Sequence, residues 1–500
     1  MANFKALAKD TAIYGLSSIL GRFINYLLVP LYTYRISAAS GGYGVITHLY
    51  AYTALFLVIL TYGMETTFFY FMNRKEEDAG KVYSTILRMV GTTSALFVAL
   101  VLLFLRPISS ALGYADHPSY IWVMALTVSM DAFQCILFAY IRYRRRPLRF
   151  AFLKLFNIGL NIVLNLCFFV LLPDIRAAHP GALQGIYDPQ VGVGYVFYIN
   201  LACTALLGLM LIPETAGIRG GFDRGLMRRM LSYSWPLLIL GIAGNLNLTA
   251  DKMLFPALYK GADASVQLGI YGAASKVAMI MAMITQAFRY AYEPFVFGAA
   301  GNSESEKKDT YARGMKYFII FTLLAFLCVI AYMDILRHVI SPDYWEGLKV
   351  VPVVMAAEIM MGIYFNLSFW YKLIGKTYWG AIFSGAGLLV LVLVNVIFVP
   401  EYGYMACAWG GFCGYLTAML LSYFIGQKHY PIAYPLRGIA SYLGLAALVY
   451  VGIFLSGKYL PTVPSLLCNT VLVAVFAAYI MKKDLPFPSL RLRGGKAHKG

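Results

Sequence analysis

The sequence predicts an all-α membrane protein. It reads as fourteen transmembrane helices, in two pseudo-symmetric six-helix lobes plus two C-terminal helices, with both termini cytoplasmic. Three observations lead there. The 500 residues are 60% hydrophobic and only 13% charged, with a mean hydropathy of +0.69, outside the range of soluble domains. Apolar windows long enough to cross a bilayer recur along the whole chain. Lys and Arg alternate between rich and poor connecting segments, as topology requires.

The windows fall near 11–35, 43–68, 84–105, 119–141, 150–172, 191–213, 230–251, 267–297, 317–333, 350–370, 378–399, 404–426, 438–456 and 464–481. The first is too long for a signal-peptide core and lacks a small-residue cleavage site, so it reads as the first span. The second opens on Gly42-Tyr43-Gly44 and ends before a basic segment, 72–83. The third and fourth lead to Arg142-Tyr143-Arg144-Arg145-Arg146, a cluster that holds that end in the cytoplasm. The fifth carries Asn157, Asn161 and Asn165 at four-residue steps, a polar stripe on one helix face. The sixth holds Asn200, and the seventh Asn245 and Asn247. Span eight is the most heavily charged, with Lys276, Arg289 and Glu293 inside an apolar stretch. Glu358 lies in the tenth span and Asp131 in the fourth. The last two spans lead to a basic tail.

With the N-terminus inside, the cytoplasmic segments hold 28 basic residues and the opposite ones 7. That split places both termini inside and accounts for most of the net charge of +18, which leaves no basic surface to assign to nucleic acid. Six bases remain within spans: Arg22, Arg35, Arg88, Lys154, Lys276 and Arg289. Arg35 and Arg88 lie near span ends, where long side chains reach water. The other four lie deeper, where a charge costs roughly 2.5 to 3.5 kcal/mol and calls for a polar interior. The seven cysteines all fall in apolar segments without a C-x-x-C pair and read as packing residues.

A weak internal repeat supports two halves. Tyr14-Gly15-Leu16 resembles the segment at Tyr233-Ser234-Trp235-Pro236-Leu237, and the opening of span two resembles Leu268-Gly269-Ile270-Tyr271. Six spans return the chain to the same side, so the halves are parallel repeats with a site between them. The expected divisions are 1–222, 223–430 and 431–500.

Those motifs, together with Asp251-Lys252, Leu268-Gly269-Ile270-Tyr271-Gly272 and Glu293-Pro294, give the chain its family likeness. It resembles the polysaccharide transporters, the Wzx-type flippases of O-antigen and capsule units, in the multidrug/oligosaccharidyl-lipid/polysaccharide (MOP) exporter superfamily. The resemblance implies a multi-pass protein of the bacterial inner membrane. It implies a flippase that carries undecaprenyl-pyrophosphate-linked oligosaccharide across that membrane by alternating access, with membrane lipids and polysaccharide assembly proteins as partners.

Such a substrate asks for cations at its diphosphate and amides at its sugars. Arg22, Lys154, Lys276 and Arg289 are the diphosphate candidates, and Asn157, Asn161, Asn165, Asn245 and Asn247 the glycan candidates. Two competing explanations stand beside them. Arg289 and Glu293 are four residues apart, the spacing of an intrahelical ion pair, and buried amides also join helices to one another. Lys276 and Arg289 are thirteen residues apart, about 140° around a helix, which counts against one lining stripe.

There is no G-x-x-x-x-G-K-[ST] loop in the chain, so no cofactor is expected and the driving force is expected to be an H+ or Na+ gradient. Asp131, Glu293 and Glu358 are the coupling candidates. Within the same superfamily, lipid II flippases and cation-coupled multidrug exporters are the rival readings. A polysaccharide polymerase or ligase is the enzymatic one, set back by the absence of a large external loop, since the longest spans 173–190.

Overall fold

The computed structural model describes residues 26–74, 76–179, 185, 187–216, 220–298 and 303–484. Among the described residues the chain is helical, with no strand, and eleven helices are long and apolar enough to cross a membrane. These coincide with spans two to five and eight to fourteen of the sequence reading. The first window lies mostly outside the described residues, which hold its end as α1, Leu28–Arg35. Arg22, the side chain of Glu293 and the basic tail also lie outside them.

The first group of helices comprises α2 (Gly42–Thr61, continued by Met64–Met72), α3 (Ala79–Leu103), α4 (Pro118–Tyr143), α5 (Pro147–Leu166) and α6 (Gly194–Met210). α2 bends at Tyr62 and Gly63, both with positive φ, and a β-carbon on Gly63 would lie 2.9 Å from that of Leu237. The bend therefore fits a close passage that only glycine allows. α3 starts where Asp78 accepts the N–H of Gly80 at 2.8 Å. After α5 the helix widens into a π-turn, Cys167–Leu171, just ahead of Pro173, and runs on to Ala178.

The second group comprises α7 (Arg224–Leu258), α8 (Ala264–Gly298), α9 (Glu304–Ala331), α10 (Val351–Leu367), α11 (Tyr378–Tyr402) and α12 (Tyr404–His429). α7 outruns its window at both ends. Asp223 caps it by accepting the Leu226 N–H at 3.0 Å, a bond that also holds the carboxyl below its usual range, and the helix continues past Asp251-Lys252 to Leu258 despite Pro236 and Pro256. α9 likewise starts before its window, at a capping box in which Ser303 and Glu306 satisfy each other's backbone N–H. The last pair, α13 (Leu436–Tyr459) and α14 (Thr462–Lys483), packs on α9.

Within each group neighbouring helices pack closely, and the groups meet chiefly where α2 lies against α7 and α8. Small residues make that meeting possible. A β-carbon on Gly44 would lie 1.8 Å from the carbonyl oxygen of Ser265, and one on Gly269 would lie 2.9 Å from the nitrogen of Gly44. At this same end the Tyr344 hydroxyl donates to the Ile36 carbonyl (2.7 Å), the Ser341 N–H to Thr33 Oγ1 (3.3 Å), and Ser37 to Asp343 (3.4 Å). At the opposite end Tyr70 stacks on Tyr233 with ring centres 4.2 Å apart, and Arg229 grips both oxygens of Glu77.

Candidate functional site

Between the two groups lies a cavity of about 800 Å³. α1, α2, α5 and α6 give one wall, which presents Tyr32, Tyr43, Tyr50, Asn157, Asn161 and Asn200. The facing wall comes from α7, α8 and α10 and presents Lys252, Tyr271, Lys276, Gln286, Arg289 and Glu358. Among the described residues, every Lys, Arg, Asp and Glu that lines the cavity belongs to this second wall. One wall is charged and the other is neutral, amide-bearing and aromatic.

The structure brings Lys276 and Arg289 into one cavity, against the argument from their spacing. The lining positions of α8 are 271, 272, 275, 276, 279, 282, 285, 286 and 289. On a helix wheel of 100° per residue these span about 180°, with Lys276 on one edge, Thr285 on the other and Arg289 between them. The angle of about 140° between the two cations falls within this lining face. The two cations are about 19 Å apart along the axis, so they form two levels rather than one clamp. The Arg289 guanidinium lies 5.0 Å from the centre of the Phe365 ring.

Lys154 does not line the cavity. It lies inside the first group, its ammonium 4.1 Å from the Phe138 ring centre and within electrostatic reach of Asp131, Cys135 and Glu65. Glu65 in turn binds Arg142, and the Cys135 thiol donates to it at 3.1 Å. Asp131 is held by the hydroxyl of Thr204 at 3.2 Å, tying α4 to α6, and it too is absent from the cavity lining. Of the coupling candidates, Glu358 does line it, with its buried Oε2 making no hydrogen bond among the described residues.

The asparagine stripe divides. Asn157 and Asn161 line the cavity, Asn157 with its buried Oδ1 making no hydrogen bond among the described residues. Asn165, one turn on, is buried; it accepts the Tyr32 hydroxyl at 2.7 Å and donates to the Asn161 carbonyl at 2.8 Å, pinning α1 to α5. Asn247 is also buried and donates to the backbone carbonyl (3.0 Å) and hydroxyl (3.1 Å) of Ser384, joining α7 to α11. Asn245 accepts the Thr249 hydroxyl at 3.2 Å on its own helix and does not reach the cavity. Asn200 lines the neutral wall and donates to Tyr50 at 3.1 Å.

Sequence reading missed Lys252. Ending span seven at 251 counts it as an external loop residue, whereas α7 carries it inside, with its ammonium 3.0 and 3.1 Å from the two oxygens of Asp251. The signal was the apolar run Met253-Leu254-Phe255-Pro256-Ala257-Leu258, which continues beyond the charged pair. The cavity tyrosines were missed too, because nothing separates them from the other tyrosines of an aromatic-rich chain.

Two solved structures share this architecture. A lipid II flippase, MurJ, in an inward closed conformation superposes with a TM-score of 0.68 over 95% of this chain and 99% of that one, at 13% identity. An inward-facing multidrug resistance MATE family transporter of the MOP superfamily gives 0.63 over 84% of this chain and 97% of that one, at 14% identity. The fold is therefore that of the MOP transporters. Residues 7–291 match the polysaccharide biosynthesis protein family, and the chain belongs to it. A protein of the Lsg locus of Haemophilus influenzae is 19% identical over 440 residues, 84% of this chain and 98% of its own length.

Proposed function

We propose that the protein is a flippase that moves undecaprenyl-pyrophosphate-linked oligosaccharide across the bacterial inner membrane. The observation that carries the reading is the two-walled cavity, with Lys276 and Arg289 facing Asn157, Asn161 and Asn200. Cations suit a diphosphate, and amides with tyrosine faces suit sugar hydroxyls and rings. Arg289 and Lys276 form two successive stations for the diphosphate along α8. The buried oxygens of Asn157 and Glu358, which make no hydrogen bond among the described residues, are groups a ligand would satisfy.

In this reading fourteen helices span the membrane with both termini cytoplasmic. The lobes divide near residues 222 and 430, and their rocking exposes the cavity to each side in turn. An H+ or Na+ gradient drives the cycle through Glu358, with membrane lipids around the protein and polysaccharide assembly proteins as its partners. The test is complementation in a strain lacking its own O-antigen flippase, scored by surface polysaccharide, beside a strain depleted of its lipid II flippase. Restored surface polysaccharide is expected. Rescue of the lipid II strain instead, or dye efflux without polysaccharide, would replace this reading.

A further inference from the structure

Lys252 and Asp251 are neighbours in sequence, and neighbours on a helix do not face each other. They pair all the same, with Nζ 3.0 Å from one carboxylate oxygen and 3.1 Å from the other. The reason lies in their surroundings. Asp251 is buried, 5% exposed, where α7 meets α8 and α12, and a carboxylate there needs partners. It takes one bond from the Tyr271 hydroxyl at 2.6 Å and the other contacts from Lys252. Lys252 is differently situated. Its side chain is 23% exposed, lines the cavity, and lies 5.4 Å from the Tyr271 ring centre.

Lys252 also feels Lys276 and Glu358 electrostatically, across the same stretch of cavity. Two ammonium groups converging on one space repel each other until an anion enters between them. We propose that Lys252 is a second cation of the diphosphate station at Lys276, and that Asp251 is a built-in competitor that reclaims it when the substrate leaves. The inference rests on the flippase reading given above.

The exchange is physically reasonable at both ends. An ammonium is a point charge on a flexible stem, so it moves between two oxyanions without reorienting its helix. Asp251 keeps the Tyr271 bond when Lys252 departs, so it is not stranded. The competition also limits affinity, because the apparent dissociation constant rises by the inverse of the fraction of time Lys252 is available. A flippase that held its diphosphate with every cation free would release it slowly.

The test uses the full-length protein in lipid nanodiscs, titrated with inorganic pyrophosphate by calorimetry. Lys252→Ala is expected to weaken binding at least about tenfold, the scale of one charge-assisted contact. Asp251→Asn is expected to tighten it by several-fold while slowing flipping, an outcome that loss of structure does not produce. Tyr271→Phe, which removes one partner of Asp251 and leaves its charge, strengthens the hold on Lys252 and is expected to weaken binding; it tests the competition if Asp251→Asn fails to fold. The Asp251→Asn gain should vanish in the Lys252→Ala background. Unchanged affinity in Lys252→Ala while Lys276→Ala weakens binding overturns the inference and spares the flippase reading. Unchanged affinity in Lys252→Ala, Lys276→Ala and Arg289→Ala together overturns both.

Discussion

Individual side chains sort into those that face the cavity and those that hold helices together, and the two kinds fail differently. Lys276→Ala and Arg289→Ala are expected to abolish surface polysaccharide in the complementation assay while membrane protein levels, read by immunoblot, stay unchanged. Lys154→Ala should do the reverse. It removes the cation within electrostatic reach of buried Asp131 inside the first group, so reduced protein level is its first effect. Asn247→Ala removes the link to Ser384, worth about 1 kcal/mol, and should lower thermal stability with flipping retained. The residue types were legible in the sequence but their destinations were not. Asn157, Asn161 and Asn165 share one helix face, yet depth along the helix decides that the first two meet the cavity and the third meets Tyr32.

Helices were legible wherever apolar runs are long, and their ends were misjudged where charge or proline interrupts them. α7 shows this most clearly, since Lys252 sits two turns before its real end and was assigned to a loop. α9 shows a recoverable miss, because the Ser303 and Glu306 capping box is written in the sequence. The crossing of α2 and α8 was half legible. The repeat singled out the glycine-bearing openings of both helices, while their contact with each other is tertiary information. Gly44→Leu forces these helices apart, because even its β-carbon would overlap the Ser265 carbonyl. The expected result is a cavity cysteine, introduced at Ser275, that reacts faster with an impermeant maleimide added from outside. Unaltered labelling would mean that this glycine contact does not limit access to the cavity.

For the molecule as a whole, the hydrogen bonds from residues 33–37 to residues 341–344 cross between the two helix groups at the end where α2 and α8 begin. The proposed alternating-access cycle would break them at each turn. Ser37 and Asp343 meet at 3.4 Å, so cysteines at both positions joined by a short thiol crosslinker should stop flipping, and reductive cleavage of the linker should restore it. Continued transport with the link intact would exclude rocking about this junction. No sequence signal pointed to this contact, because its partners are more than 300 residues apart and none belongs to a recognisable motif.

Among the described residues every charge that lines the cavity lies on a single wall, and this has a consequence for the membrane voltage. Among the described residues, with side chains ionised, Lys252, Lys276 and Arg289 exceed Asp251 and Glu358 by one positive charge, and a bound diphosphate diester, carrying two negative charges, turns that excess into one negative charge. Each elementary charge carried across 100 mV is worth about 2.3 kcal/mol. An interior-negative potential thus pushes the loaded site outward and draws the empty one back, so the electric field favours both halves of the proposed cycle.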